Sequence, residues 1–488
     1  MSYNNKIGWR FDNTYSKLPG SMLTRLSPTP VKAPELVILN HSLSKMLGLD
    51  FSGVSEKNLA SILSGNLLPE GSDTIAQAYA GHQFGYFTVL GDGRAIIIGE
   101  HLSKNNKRFD IQFKGSGKTP YSRNADGRAA LGPMLREYII SEAMHGLGIP
   151  TTRSLAVVKT GENVIRETSL HGAILTRVAQ SHIRVGTFQY AVINENKKDL
   201  KTLFNYTINR HYPHIKNSKT PEIDLLKIVI EKQIKLVVDW MRVGFIHGVM
   251  NTDNMAISGE TIDYGPCAFM DNYDPRTVFS SIDHQGRYCF INQSLIAHWN
   301  VSRFAETLIP LLDNNEKKAI TIGEEIINSF NEKFQSKWLL MMRQKLGLFG
   351  EKNNDEKLVN NLLSLMHQNN TDYTNTFCDL MKNKLPNNSF YQHHKFVDWF
   401  KEWKNRQSQN KMPKELSLSL MRSANPYVIP RNHKVEEALI MASESGNLEP
   451  MKKLLSELDN PYDYREDTNE YRIVPKPSKI QYQTFCGT

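Results

Sequence analysis

The segment 247–265, HGVMNTDNMAISGETIDYG, constrains the fold of this chain more than any other. It follows a long amphipathic helical pattern, EIDLLKIVIEKQIKLVVDWMRVG, and offers two oxygen donors, Asn254 and Asp263. Mg²⁺ prefers oxygen ligands and keeps waters and phosphate oxygens in its remaining positions. The connector MAISGETI predicts a strand, a turn at Ser258-Gly259 and a returning strand. Such a hairpin would bring both donors to one metal ion.

The spacing in this segment matches the pattern of protein kinases, with one difference. Kinases carry His-Arg-Asp or His-Gly-Asp, an Asn five residues after that Asp, and then Asp-Phe-Gly. His247 and Asn254 keep the kinase spacing, but Val249 stands at the position of the catalytic Asp. Asp253 is the nearest carboxylate in the loop. It either accepts a proton from an incoming hydroxyl or only tightens the loop by bonding backbone N–H groups, and the loop sequence leaves both roles equally open.

Residues 84 to 178 predict a strand-rich region with one embedded helix. YFTVL and RAIIIG flank Gly91-Asp92-Gly93, and LAVVK and NVIRE flank Thr160-Gly161-Glu162, so each pair predicts a hairpin. FDIQFK and GAILTRV supply two further strands. The helix is predicted from Pro133 through MLREYIISEAMHGLG, and beyond about residue 185 the patterns become helical.

Several basic residues in this region suit phosphate binding. Lys114 ends the strand FDIQFK and would pair with a Glu of the embedded helix, which carries Glu137 and Glu142. Five helical residues correspond to about 140° of rotation, so only one of these two can face the cleft. Arg177 and Arg184, at the junction with the helical region, could clamp a polyphosphate. The stretch GSGKT is not a P-loop, because its spacing is wrong and Pro120 follows it.

These patterns predict an α+β, protein-kinase-like bilobal fold. It would have a strand-rich N-lobe with one embedded helix, a large helical C-lobe and an active cleft between them. We expect an N-terminal extension and N-lobe over residues 1–185, the helical C-lobe with the catalytic loop over 186–458, and an extended tail over 459–488.

Composition limits the cellular location and the classes of partner that we expect for this chain. The 488 residues are 40% hydrophobic and 22% charged, with a formal charge of +9. No apolar run approaches the roughly 18 residues that would span a bilayer, and the first residues show no targeting pattern. Four cysteines without a CxxC pair fit a reducing compartment. We therefore expect a cytoplasmic monomer that binds neither membrane nor nucleic acid.

Long motifs give the chain a family resemblance. YAGHQFG (79–85), LGDGRA (90–95), QFKGSGKTPYSRNADGRAALGPMLREY (112–138), HGVMNTDNM and IDYGP (262–266) resemble the selenoprotein O family, and the similarity extends over essentially the whole chain. The resemblance implies a protein adenylyltransferase that moves AMP from ATP onto Ser, Thr or Tyr hydroxyls of proteins and releases pyrophosphate. It also implies that ATP binds end for end relative to a kinase.

The resemblance assigns roles to individual residues. Asp253 would be the proton acceptor, Asn254 and Asp263 would hold Mg²⁺ or Mn²⁺, and Glu137 would pair with the strand Lys. Arg177 and Arg184 would hold the γ-phosphate. The implied nucleotide contacts are Gly91, Gly93, Arg94, Lys114, Asp126, Gly127, Arg177, Arg184 and Asp263.

Other interpretations stay open on the sequence. One is a conventional kinase that transfers the γ-phosphoryl group, and another is an inactive, nucleotide-binding pseudokinase scaffold. UTP could replace ATP as donor, with UMP transferred. Cys486 stands third from the end, where eukaryotic members of the family carry selenocysteine. This implies a redox role, for which Cys267 is the first candidate partner and Cys289 the second.

Overall fold

The computed structural model of the protein describes residues 7–194, 197–465, 469–475 and 482–484. Most strands of the described chain belong to one antiparallel sheet of nine strands, in the order β1-β3-β5-β6-β9-β8-β2, with β4 paired to β3 and β7 to β9. The strands are β1 (Leu23–Arg25), β2 (Glu35–Leu39), β3 (Ile75–Gln83), β4 (Tyr86–Gly91), β5 (Ala95–Leu102), β6 (Arg108–Lys114), β7 (Ala129–Ala130), β8 (Arg153–Ile165) and β9 (Ser169–Ala179), followed outside this sheet by β10 (Phe245–Ile246) and β11 (Ala268–Phe269).

The predicted hairpin at Gly91-Asp92-Gly93 is wrong, although both of its strands exist. β4 pairs along its length with β3, whereas β5 pairs with β6 and meets β3 at Ile75 and Ile97. The turn that closes β3 and β4 is Phe84-Gly85, where φ is +50° and +90°. Two-residue hairpin loops favour positive φ at both positions. Phe is uncommon in that conformation, so local sequence patterns do not indicate this turn.

The second predicted hairpin, at Thr160-Gly161-Glu162, is a bulge within one long strand. Lys159 lies opposite Ala173 and Asn163 opposite His171, so β8 contains two more residues than β9 between these pairs. Gly161 adopts φ +70°, the left-handed conformation that bulges often place on glycine. The chain reverses only after Ile165, where the backbone N–H of Arg166 bonds to the carbonyl of Thr168.

Helices cover both faces of the large sheet. On one face, α1 (His41–Leu47) and α2 (Glu56–Leu63) share an apolar cluster with strand residues such as Phe113. On the other face lies α3 (Leu131–Gly146), the predicted embedded helix, which begins two residues before Pro133. Its buried residues join a second apolar cluster that continues into the helical region. The face of α3 that carries Glu137 is thereby fixed against the sheet.

The helical region fills most of the chain beyond the sheet, as predicted. Its described helices are α4 (Val185–Ile193), α5 (Lys197–His211), α6 (Pro221–Val243), α7 (Gln293–Leu312), α8 (Glu316–Asn328), α9 (Phe330–Lys345), α10 (Asp355–Gln368), α11 (Tyr373–Asp379), α12 (Ser389–Gln392), α13 (His394–Ser408), α14 (Lys414–Ala424), α15 (Asn432–Glu444), α16 (Glu449–Leu458) and α17 (Asn469–Arg472).

The long helix α6 delivers the chain to the loop at His247. It ends at Gly244, which caps the helix in the left-handed conformation with φ +75°. β10 follows and pairs with β11, so the loop between them starts and ends on a two-stranded ribbon. This order of an antiparallel sheet, an embedded helix and a helical region that opens with this loop is the predicted protein-kinase-like α+β fold.

The connector between Asn254 and Asp263 differs from the predicted hairpin. It does turn at Ser258-Gly259, where the N–H of Gly259 bonds to the carbonyl of Ala256. Its two arms do not pair with each other, because Ala256 bridges Arg184 and Thr261 bridges Thr151. Each arm finds its backbone partner in a distant element, which local sequence patterns do not encode.

The tail is not wholly extended as predicted. Its described part includes the helical turn α17, whose last carbonyl, on Arg472, accepts a bond from the Asn375 amide at 3.1 Å. Further on, Thr484 forms a parallel bridge with Ser280. None of the helices in the described parts of the chain is both long and apolar enough to cross a membrane.

Candidate active site

A cavity of about 690 Å³ lies between the sheet and the helical region. Seven basic and four acidic side chains line it, an excess of three positive charges when all are ionised. Such an excess favours a polyphosphate ligand. Every residue singled out from the sequence for nucleotide, metal or proton transfer lines this cavity: Gly91, Gly93, Arg94, Lys114, Asp126, Gly127, Arg177, Arg184, Asp253, Asn254 and Asp263.

Three cations converge on the Asp263 carboxylate. Nζ of Lys114 lies 3.0 Å from Oδ1, Nη2 of Arg177 lies 2.6 Å from the same oxygen, and Nη1 of Arg184 lies 2.7 Å from Oδ2. Burial alone would raise the pKa of Asp263, but Arg177, Lys114 and Arg184 outweigh it and hold that pKa well below its usual value. Asp263 is therefore ionised and ties the end of β6 to the loop before β11.

Glu137 on α3 completes this network. Its Oε2 accepts from Nζ of Lys114 at 2.7 Å, and its Oε1 accepts from Nε of Arg177 at 2.8 Å. Glu142 faces away and binds Arg153 at Nε, 2.9 Å away. The sequence prediction that only one of the two helical glutamates reaches the cleft is confirmed, and Glu137 is that residue.

His247 and Asn254 shape the loop from inside. Nε2 of His247 lies 2.9 Å from the carbonyl oxygen of Ile262, and its ring stacks on Trp240 with centroids 5.3 Å apart. Burial lowers the pKa of His247, which favours the neutral ring. Nδ2 of Asn254 donates to the carbonyl of Val249 at 3.0 Å. This orientation leaves the Asn254 amide oxygen as the group available to a cation.

Asp253 is a buried carboxylate with spare bonding capacity. The residue is 6% exposed, and Oδ1 accepts no hydrogen bond among the described residues. Burial raises the pKa of Asp253 to about 6, although Arg184 acts in the opposite direction. Nη1 of Arg184 bonds to the backbone carbonyl of Asp253 at 2.8 Å. The loop is thus held by backbone and neighbouring groups, and Oδ1 takes no part in tightening it.

The glycines on the other wall permit close packing. A Cβ on Gly93 would lie 2.9 Å from the carbonyl oxygen of Tyr121, and one on Gly91 would overlap the Tyr121 ring. Gly127 has φ +69° and packs directly on the backbone of Gly117. No helix follows GSGKT, in agreement with its rejection as a P-loop. These glycines let the segment 117–128 close over the cavity.

Asp126 lies at the outer edge of the cavity. Its carboxylate receives both terminal nitrogens of Arg166, at 2.9 and 3.1 Å, and Arg166 lowers the pKa of Asp126. Sequence reasoning missed Arg166, because it falls in the strand region predicted as part of a hairpin and carries no motif of its own. It also missed Tyr79, whose ring lies 4.6 Å from the Arg184 guanidinium carbon. Tyr79 belongs to the quoted motif YAGHQFG, which was the available signal.

The donor set of the cavity fits a hard divalent cation. Asn254 offers an amide oxygen, Asp263 a carboxylate, and Asp253 a buried oxygen without a partner. Mg²⁺ and Mn²⁺ accept such oxygen ligands together with phosphate oxygens and waters. The described residues contain no cluster of three or more His, Cys, Asp or Glu side chains arranged to hold a metal by themselves. Waters or phosphate oxygens of a nucleotide would complete the coordination of a cation here.

The cysteines expected to take part in redox chemistry are inaccessible where the structure describes them. Cys267 is fully buried, and burial raises its pKa to about 12. Cys289 is also buried, with its pKa raised by burial. Cys486 lies outside the described residues, so the proposed pairing stays a prediction.

The sequence is similar to known proteins over almost its whole length. A sequence model for the family described as "Protein adenylyltransferase SelO" matches residues 6–459. Proteins named "Protein nucleotidyltransferase YdiU" are similar throughout. Those of Nitrosococcus oceani and Pelagibacter ubique are each 58% identical over 482 residues, covering 99% of this chain and 98% and 100% of theirs. That of Bacillus thuringiensis subsp. konkukian is 54% identical over 488 residues and covers all of both chains.

A solved structure also aligns, with low structural similarity. It is "ROP2 from Toxoplasma gondii", described as having a protein-kinase fold and no enzymatic activity; it is 9% identical, with a TM-score of 0.25, over 69% of this chain and 88% of that one. The sequence relationships are decisive, because they extend over nearly the whole length at more than half identity. The chain belongs to the protein adenylyltransferase SelO family.

Proposed function

We propose that this chain is a protein adenylyltransferase that transfers AMP from ATP to Ser, Thr or Tyr hydroxyls of proteins. The observation that carries the proposal is the position of Asp253. It is a buried carboxylate with a free oxygen, and it lines the same cavity as three cations gathered on Asp263. Family membership supports the same reaction.

The proposed reaction uses these groups in distinct roles. The acceptor hydroxyl forms a bond to the α-phosphorus, the bond from that phosphorus to the bridging oxygen breaks, and pyrophosphate leaves. Asp253 takes the hydroxyl proton. Its pKa near 6 leaves it largely ionised at neutral pH, so it can act as a base there. Lys114 stabilises charge on the phosphates from a position fixed by Glu137.

Arg177 and Arg184 would hold the far end of the triphosphate. Both guanidinium groups are almost fully buried and line the cavity. Desolvation lowers the pKa of each guanidinium, but it is outweighed chiefly by Asp263 for Arg177 and by Tyr79 and Asp263 for Arg184, so both pKa values are raised and both groups stay charged. In this orientation the γ-phosphate lies beside Arg177 and Arg184, and the α-phosphate faces Asp253. Val249 offers no base for a γ-phosphoryl transfer in the kinase manner.

Asn254 and Asp263 would hold Mg²⁺ or Mn²⁺, which supplies positive charge to neutralise the phosphates. The charge on Asp263 is already ensured by its three cationic partners. The protein partners are those that carry the acceptor hydroxyls. A monomeric state and a cytoplasmic site of action stay predictions from the composition of the chain.

Labelled nucleotides test the proposal directly. The protein is incubated with Mg²⁺ or Mn²⁺, a clarified cell extract and ATP labelled in the α- or, separately, the γ-phosphate. We expect protein-bound label from the α-position only. Transfer from the γ-position only would establish a conventional kinase, and ATP binding without either transfer would establish a scaffold. A parallel incubation with α-labelled UTP compares the two donors, and Asp253→Asn serves as the variant that lacks the base.

A further inference from the structure

The motif YAGHQFG belongs to the sheet side of the cleft, and it contacts the loop that carries Asp253. The backbone N–H of His82, near the end of β3, donates to Oγ1 of Thr252 at 2.7 Å. Two residues further, the N–H of Phe84 donates to Oδ1 of Asn251 at 3.1 Å. The ribbon formed by β3 and β4 therefore grips two consecutive residues of the loop just before Asp253.

The Thr252 hydroxyl belongs to a closed set of hydrogen bonds. It donates to Oε1 of Gln189 at 2.7 Å, and Nε2 of Gln189 lies 2.9 Å from Nδ1 of His82. An amide nitrogen can only donate, so Nδ1 accepts and the His82 ring is neutral. The circuit starts at the backbone of His82, passes through Thr252 and Gln189, and returns to the His82 ring. It connects β3, the loop and α4.

The Thr252 and Gln189 part of this circuit is shielded from water. Thr252 is fully buried and Gln189 is 5% exposed. His82 is half-buried, and its ring makes edge-on contacts with Phe87 and Trp299, each at 5.1 Å between centroids. A buried hydroxyl with both a donor and an acceptor in place has one favoured orientation, and losing either partner costs more than it would in water.

The circuit fixes the residue that follows it. Thr252 precedes Asp253 directly, so anchoring its side chain also anchors the start of the Asp253 backbone. Gly186 confines the same backbone from the α4 side, since a Cβ there would lie 3.3 Å from Cα of Asp253. Oδ1 of Asp253 has no hydrogen bond of its own among the described residues. The direction of the carboxylate therefore depends on its backbone, on packing and on the side chain of Gln83, which hydrogen-bonds to the carboxylate.

We propose that Thr252, Gln189 and His82 are positioning residues for AMP transfer, which hold the Asp253 carboxylate in place from the sheet side of the cleft. The inference rests on the proposed function, because it assigns these residues to the proton-transfer step. None of the three lines the nucleotide cavity. They should therefore affect the rate of transfer and leave nucleotide affinity nearly unchanged.

Thr252→Val and Thr252→Ser form the test. Valine keeps the shape and removes the hydroxyl, whereas serine keeps the hydroxyl and removes the methyl group. Thr307→Val is the matched control, because Thr307 is also buried and its hydroxyl donates to the carbonyl of Phe304 at 2.6 Å, in α7 and away from the cavity lining. For each variant, kcat and KM for ATP are measured with α-labelled ATP, together with the ATP dissociation constant by calorimetry and the melting temperature.

The expected result is a fall in kcat of about tenfold or more for Thr252→Val, the size of one buried hydrogen bond. The ATP dissociation constant and KM should change by less than about threefold, and Thr252→Ser should recover most of the lost rate. Thr307→Val should match Thr252→Val in stability loss and yet retain its rate. If Thr252→Val does not fold, Gln189→Leu, which removes the bonds of Gln189 to Thr252 and to the His82 ring, is measured in its place with the same expectation.

Two results would overturn the inference. One is an unchanged kcat in folded Thr252→Val or Gln189→Leu. The other is a loss of ATP affinity in proportion to the loss of rate, which would mean that the circuit merely supports the cavity. Failure of the proposed function has a different signature, since the wild-type protein would then transfer no α-label to any protein.

Discussion

Gly81→Ala should misplace the Asp253 carboxylate without touching any polar contact of the site. Gly81 lies in β3 opposite Thr88, and its backbone does not have positive φ, so alanine causes no backbone strain. A methyl carbon at this position would lie 2.8 Å from both Cβ and Cγ of Asp253 and nearer still to Oδ1. Carbon atoms normally approach to about 3.5–4.0 Å, so the groups must separate by about 1 Å.

The Asp253 side chain is the part that has to yield. Gly81 is held in the paired ribbon of β3 and β4, while Thr252 and Asn251 pin the loop backbone to the same ribbon. A 1 Å misplacement of a reacting group can lower a rate by about a hundredfold. This corresponds to about 2.7 kcal/mol in the activation free energy. We expect that loss in kcat with ATP affinity retained.

Single-turnover transfer from α-labelled ATP measures the effect, with calorimetry for ATP binding and thermal melting for the fold. Gly53→Ala is the matched control, because an added Cβ there meets nothing within 4 Å and Gly53 has no positive φ. It should behave as the wild type does. If folded Gly81→Ala binds ATP normally and transfers AMP within about threefold of the wild-type rate, Asp253 does not act from the position described and the reasoning fails.

Three further perturbations test the metal ligand, the arginine pair and a buried glutamate. Asp263→Asn should reduce AMP transfer by about a hundredfold or more, since it removes a charged metal ligand, while ATP still raises the melting temperature of the variant; transfer near the wild-type rate would exclude Asp263 as a ligand. Arg177→Ala and Arg184→Ala should each weaken ATP binding more than AMP binding, by about 1.5–3 kcal/mol per lost charge-assisted bond, and equal losses for the two nucleotides in calorimetry would contradict the reversed orientation. Burial raises the pKa of Glu260 from 4.5 to about 7 in the folded protein. The folded state therefore binds this proton more tightly than the unfolded state does, and the resulting stability is lost as the pH rises from about 4.5 to 7. Above pH 7 the ionised, buried Glu260 should destabilise the fold. Glu260→Gln keeps an acceptor for the N–H of Gln180 and should therefore raise the melting temperature more at pH 8 than at pH 5, whereas an equal change at both pH values would show that Glu260 does not titrate in this window.

Local sequence patterns alone determined many residues of the site. The spacing of His247, Asn254 and Asp263 predicted a common metal-binding loop, and helical rotation limited the partner of Lys114 to one of two glutamates. Motifs of this kind are readable because chemistry fixes both residue type and separation within one segment. Several strands were also predicted, because short apolar runs next to turn residues are typical of strands.

Tertiary structure decided how those strands pair and what surrounds the reactive groups. Turn-like residues at Gly91 joined two strands that pair with other strands, and those at Gly161 formed a bulge, because strand pairing depends on the whole sheet and not on local composition. The contact between His82 and Thr252 joins positions 170 residues apart in the chain. The burial of Asp253 and the free oxygen it leaves depend on that contact and on packing against glycine. No local pattern specifies such long-range contacts, so the environment that makes Asp253 a candidate base emerges only when the sheet closes on the loop.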